Sequence, residues 1–257
     1  MGCVGTTGSC FLHPAMITLK TNADTSSAGT FLRVPLAKLM DIVSMAVPPI
    51  LKAKPMKLSY MRGACSLASY ISLNEAGVKF EAAAIDRKNR KTADGEELNV
   101  LNSKGYVPIL RLDNGELLTE NVAVLQYIAD RNPSAKLAPA AGTLERYRLI
   151  EWLAYINSEV HKSISPLFNP AVSEDVKQYA RTNVIKRVDW LQNALGTKTF
   201  LMGDTFTVAD AYLYVILGWF GHVGLDLGKW PALKTYHDRI GARPHVIAAL
   251  KAEGLVK

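Results

Sequence analysis

From Met56 onward, short apolar runs alternate with stretches in which apolar residues recur at helical spacing. Lys57-Leu58-Ser59-Tyr60 predicts a strand that ends at Arg62-Gly63. A helix follows, with Ser66 as a capping hydroxyl, Leu67, Tyr70, Ile71 and Asn74 at helical spacing, and Gly77 as a left-handed stop. Phe80 to Ile85 predicts a second strand, then a basic loop from Asp86 to Gly95 and a brief helix around Glu96 to Leu101. Ile109 to Leu112 and Glu116 to Thr119 flank Asp113-Asn114-Gly115, and Asn-Gly between two apolar runs is a strong hairpin signal. Glu120-Asn121 opens a helix whose apolar side carries Val122, Leu125, Ile128 and Ala129.

This order, β-α-β-α-β-β-α, is the thioredoxin-like arrangement. The breaker-rich stretch from Asn132 to Gly142 reads as a linker. Beyond it the pattern is all-helical: Leu144 to about Ser163, Glu174 to Leu195, Thr207 to about Phe220, Ala232 to Ile240 and His245 to Glu253. Thr207-Val208-Ala209-Asp210 is a helix start with an acid at the third position, and Phe206 before it can act as a staple. The expected fold is an α/β thioredoxin-like domain over 56–135 plus an all-α domain over 143–257.

Residues 1–55 differ in character, being Thr/Ser/Gly-rich near the start, poor in acids, and ending in a Pro/Lys-rich run. They form an expected N-terminal extension, disordered or upstream of a true start at Met56; a transit-like segment and a structured appendage are the competing readings. Met1-Gly2-Cys3-Val4-Gly5-Thr6 also fits the loose myristoylation pattern.

The chain has 257 residues, 49% of them hydrophobic, enough for a full core. Its formal charge of +7 is spread out, with no dense Lys/Arg block interleaved with aromatics, which argues against nucleic acid as a partner. The extension holds five bases and two acids, a net of +3, so the part from Met56 onward retains +4, compatible with small anionic substrates. No apolar run reaches the ~20 residues of a membrane span. Cys3, Cys10 and Cys65 show neither a disulfide framework nor metal-ligand spacing, so a reducing cytosol and no metal are expected.

Cys65 lies where a strand turns directly into a helix. Unpaired N–H groups and the positive end of the macrodipole there favour thiolate, although free cysteine is also a common buried core residue. A helix end contributes only ~0.3–1 kcal/mol when exposed, against ~1.4 kcal/mol per pKa unit, so hydrogen bonds must add to it. Cys65-Ser66-Leu67-Ala68 has no second cysteine, which excludes a dithiol cycle within the motif. On sequence alone Glu120-Asn121 reads first as a cap, Arg90 as a solvated charge, His161 as a hydrogen-bonded histidine and Asp210 as a cap. Pro108 is open between cis and trans, and the aromatic residues read mostly as core.

The run Lys57-Leu58-Ser59-Tyr60-Met61-Arg62-Gly63-Ala64-Cys65-Ser66-Leu67-Ala68 resembles the opening strand, catalytic loop and helix start of the beta-class glutathione S-transferases, the bacterial cysteine-type enzymes. Val107-Pro108, Thr119-Glu120, Glu151-Trp152-Leu153, Glu159-Val160-His161-Lys162 with Pro166-Leu167-Phe168, and Phe206-Thr207-Val208-Ala209-Asp210-Ala211-Tyr212-Leu213 match in the same order. The resemblance covers everything from Met56 to the C-terminus. It implies conjugation of glutathione, the co-substrate, to small apolar electrophiles by a cytoplasmic homodimer. By resemblance Cys65 meets the glutathione sulfur and His161 assists it, with Ser158 as a companion ligand. Val107 and a cis Pro108 pair with the tripeptide backbone, Glu120 and Asn121 take the γ-glutamyl end, and Arg90 or Lys162 takes the glycine carboxylate. Residues near Phe168 line the second-substrate pocket. Two departures stand out: Ala154 in place of an asparagine and Tyr106 in place of a glutamine, which imply a lost polar contact and altered affinity. A thiol transferase working through a Cys65 mixed disulfide, or a non-catalytic carrier of apolar ligands, are the alternatives.

Overall fold

The computed structural model describes residues 55–257, so the readings made for the extension lie outside the described residues except at Pro55. Strands β1 (Met56–Tyr60), β2 (Phe80–Ala84), β3 (Ile109–Arg111) and β4 (Leu117–Thr119) form one sheet in the order β2-β1-β3-β4. β1 and β2 are parallel, and β1–β3 and β3–β4 are antiparallel. Helix α1 (Ser66–Glu75) links the parallel pair, as a parallel connection requires, and Gly77 ends it at φ +66°. The Asn-Gly turn closes β3 onto β4, with Leu112 N–H donating to Glu116 O at 2.8 Å. Helices α2 (Leu98–Leu101) and α3 (Asn121–Arg131) complete this lobe.

The second lobe is helical: α4 (Leu144–Tyr155), α5 (Glu174–Leu195), α6 (Val208–Gly218), α7 (Pro231–Gly241) and α8 (Pro244–Ala252). One stretch departs from the straight helix predicted to Ser163. After α4 the chain winds as a π-helix over Ile156–His161, makes a short α-turn over Lys162–Ile164 and tightens to a 3₁₀ turn over Ser165–Phe168. Single π segments are frequent at functional sites, because the wider turn changes which side chains face inward.

Helix α6 is the hub, buried from Val208 to Leu217. The main core is continuous with Leu67, Ala68 and Ile71 of α1 and Leu125 of α3, so the two lobes share one hydrophobic interior. A second cluster, Leu58, Tyr60, Leu73, Leu110, Val124 and Ile128, packs sheet against helices in the first lobe. On α3 it is Val124 that is fully buried, whereas Val122 is only half-buried. Among the described residues no helix is long and apolar enough to cross a membrane.

Candidate active site

A cavity of about 940 Å³ opens between the lobes, with Cys65 on its wall. The sheet lobe contributes the loop Met61 to Cys65, the turn Tyr106-Val107-Pro108 and the α3 start at Glu120-Asn121. The helical lobe contributes Asn157, His161, Lys162, Phe168, Tyr212 and Trp219.

Cys65 is half-buried and immediately precedes α1. Its Sγ donates to Val107 O at 3.4 Å. Desolvation pushes the thiol up to about 11, overriding the neighbouring N–H groups and Lys162, which pull it down. At this helix start burial therefore outweighs the pull of the helix end toward thiolate, which is small by itself. Ser66 does not cap α1 either. It is fully buried, and its Oγ accepts from Met61 N–H at 3.2 Å, bracing the loop that delivers Cys65.

That loop is also gripped from the helical lobe. Gly63, at φ +69°, donates its N–H to Glu253 Oε2 at 2.8 Å, and its carbonyl accepts from Trp219 Nε1 at 2.9 Å. Burial pushes the Glu253 carboxyl up to about 7.

The Val107–Pro108 peptide bond is cis, and both residues line the cavity. The Val107 carbonyl, expected to be free, already accepts the Cys65 thiol; with two lone pairs it retains room for a second donor. Glu120 stands at φ +69° on the rim, and its Oε1 accepts from Lys104 Nζ at 2.5 Å. Asn121 differs from expectation. Its side chain is buried, with Oδ1 accepting from Ser69 Oγ at 2.8 Å and Nδ2 donating to Cys65 O at 3.3 Å. The amide ties α3 to α1 at the cavity wall.

Arg90 lines the cavity, its Nη2 donating to Gly105 O at 3.1 Å and to Asn99 Oδ1 at 3.2 Å. Gly105 makes this possible, since a Cβ there would lie 2.9 Å from the guanidinium. Lys162 stands 5.8 Å from the centroid of the exposed Tyr106 ring, across the mouth between the lobes.

His161 Nδ1 lies 2.7 Å from the Tyr212 hydroxyl, which is itself 3.0 Å from Asn157 Oδ1. Burial, and secondarily Lys162, lower the imidazole to about 4, so the ring is neutral. The hydroxyl has one proton for two acceptors. Given to His161 it leaves the ring with Nε2–H as its donor; given to Asn157 it makes Nδ1 the donor. No sequence signal assigns Tyr212 or Asn157 to the site. Tyr212 belongs to a helix buried all round, where no periodicity distinguishes a polar position that reaches a cavity.

Ser158 is not brought to the cavity. It is exposed, and its hydroxyl donates to Ala154 O at 3.0 Å. The π-winding sets Asn157 and His161 on the cavity side and turns Ser158 away. Ala154 is exposed as well, so the asparagine missing there is not a gap in this wall. Asp210 is a cap: its carboxylate accepts from Leu201 N–H, Thr207 N–H and Oγ1, and Tyr236 OH, each at 2.8 Å. Among the described residues no group of three or more His, Cys, Asp or Glu is placed to hold a metal ion.

Comparison with known proteins gives the family. The family "Glutathione S-transferase, N-terminal domain" matches residues 54–130, and "Glutathione S-transferase, C-terminal domain" matches residues 152–244. The chain is 42% identical over 200 residues to the glutathione S-transferase GstA of Escherichia coli O157:H7, covering 78% of this chain and 100% of the relative. Among solved structures, a sphingomonad glutathione S-transferase complexed with glutathione is similar at 50% identity and a TM-score of 0.75, covering 78% of this chain and 100% of that chain. BphK, a bacterial GST solved as a ternary complex, is similar at 47% identity and a TM-score of 0.76, covering 77% and 99%.

Proposed function

The chain belongs to the glutathione S-transferase family and is a transferase that conjugates the glutathione thiol to electrophiles; from that premise we propose how its residues divide the work. The γ-glutamyl carboxylate meets the N–H groups at the α3 start, where orphan donors and the macrodipole favour an anion. Glu120 exchanges Lys104 for the γ-glutamyl ammonium. The tripeptide backbone runs beside Val107, held ready by the cis Pro108, in the manner of an added strand. Arg90 and Lys162 take the glycine carboxylate.

One observation carries the chemistry: the Cys65 thiol stands on the cavity wall with its Sγ 3.4 Å from the Val107 carbonyl, and burial favours its neutral form. A neutral thiol is a donor, not a nucleophile. When glutathione binds, Cys65 turns its S–H toward the glutathione sulfur and stabilises it as thiolate. His161, held by the Tyr212 hydroxyl at 2.7 Å from Nδ1, stands on the same wall and presents its ring as a second polar group to that sulfur. The glutathione sulfur then forms the C–S bond, while the electrophile releases its leaving group or takes up a proton at carbon. Holding both reactants in one cavity supplies the orientation. A Cys65 mixed disulfide would need the thiolate form that burial disfavours, which counts against the thiol-transferase alternative. Work as a homodimer in a reducing cytosol completes the reading, supported by the family's habit and by the unpaired Cys65.

The test is conjugation of 1-chloro-2,4-dinitrobenzene at saturating glutathione. Cys65→Ala removes one hydrogen bond to a charged sulfur, so kcat/KM should fall about 10- to 100-fold, on the order of 1.5–3 kcal/mol, with turnover persisting. Complete loss, together with a stoichiometric glutathione adduct on the native protein by intact mass, would favour the disulfide route. No turnover by the native protein would point to the carrier.

A further inference from the structure

Glutathione, bound as above, does not use up the charges of the cavity. The tripeptide brings two carboxylates and one ammonium, met by the α3 start, by Arg90 with Lys162, and by Glu120. Arg62 and Arg87 also line the cavity and have no assignment. Arg62 directly precedes Gly63, and Arg87 comes from the loop after β2. The two are tied together, because Arg87 Nη2 donates to Arg62 O at 2.8 Å. Arg62 Nη2 in turn donates to Gly254 O, fixing this corner against the C-terminal segment.

The surroundings of this corner are apolar and short of acid. Leu255 lies against Gly63, and Phe168 and Trp219 meet edge to face at 5.7 Å on the helical side. Glu120 is the one carboxylate among the cavity-lining residues. Glu253 is the acid next to the arginines; its Oε2 is committed to Gly63 N–H, and with its value near 7 it carries only part of a charge at neutral pH. Two guanidiniums, always charged, thus outweigh Glu253 at this corner of the cavity.

We propose that the electrophile this site takes carries a carboxylate on an aromatic or unsaturated apolar body, the carboxylate meeting Arg62 and Arg87 and the body lying against Trp219 and Phe168. The proposal rests on the conjugation reading above and specifies its second substrate. With a chlorinated nitrobenzoate as probe, the glutathione thiolate bonds to the ring carbon bearing chlorine, and chloride departs with the C–Cl electron pair.

The experiment compares 4-chloro-3,5-dinitrobenzoate with its methyl ester, each kcat/KM divided by the uncatalysed rate with glutathione. The native protein should prefer the acid about 10-fold or more, as a charge-assisted contact implies, and the preference should shrink with added salt. Arg62→Gln and Arg87→Gln should each cut turnover of the acid several-fold more than that of the ester. Arg87→Lys should retain most of the preference. Turnover of the ester with no preference for the acid, or variants that depress both substrates equally, would overturn this proposal and leave conjugation standing. Turnover of neither compound would overturn both.

Discussion

At the start of α6 the Asp210 carboxylate gathers four donors, including the N–H and hydroxyl of Thr207, and is sealed in the core. The start of α1 has no side-chain cap at all, and Cys65 stands before it facing a cavity. The start of α3, after Glu120, is likewise without a side-chain cap and lies on the same cavity. A terminus closed on itself contributes to stability and leaves nothing for a ligand. A terminus left open beside a cavity retains donors for one. The open α1 start is held in place from outside by Glu253 and Trp219 on Gly63 and by Asn121 on the Cys65 carbonyl.

The sharpest break in this contrast comes from Asp210→Ala. It would strand four buried donors, so unfolding free energy measured in urea should fall by roughly 3–5 kcal/mol. Conjugation by the fraction that remains folded should be nearly native, because none of those donors faces the cavity.

Glu253→Gln addresses the outside grip on the open start. In the folded chain Glu253 titrates near 7, above the ordinary value of 4.5. Its stabilisation is therefore complete below pH 4.5 and is lost as pH rises through 7, whereas glutamine still accepts Gly63 N–H and has no such loss. The variant should match the native protein near pH 4 and exceed it by on the order of 2 kcal/mol at pH 8.5, in urea unfolding at both pH values. A gap that does not change with pH would dissociate Glu253 from this role.

The smallest effect is expected from Tyr212→Phe, which removes the hydroxyl that orients His161. Stability should fall by about 1 kcal/mol, while kcat for conjugation drops roughly 3- to 10-fold with little change in KM for glutathione. The acid limb of the pH–rate profile should also move, which lost packing alone would not produce.

Local chemistry makes most of the fold legible in the sequence. Strand β1 ends where Arg62-Gly63 interrupts its apolar run, Gly77 stops α1, Asn114-Gly115 folds the hairpin, and Thr207 to Asp210 marks the start of α6. Each signal acts within a few residues, so its meaning survives without knowledge of the rest of the chain. The same locality explains why Cys65 and Val107-Pro108 stand out, since both sit at breaks in a local pattern.

What escapes a sequence reading depends on groups far apart in the chain. A helical period cannot announce that Ile156–His161 winds as a π-helix and brings Asn157 to the cavity wall. The protonation of Cys65 is set by how much protein closes over it, and that desolvation outweighs the helix end that the sequence does display. Asn121 turns inward because Ser69 and the Cys65 carbonyl happen to lie beneath it. The sequence by itself determined the elements, their order and the two lobes, because turns, caps and apolar spacing act locally. Only the tertiary structure decided which polar groups share the cavity and in what charge state, because burial and long-range hydrogen bonds exist only once the lobes have met.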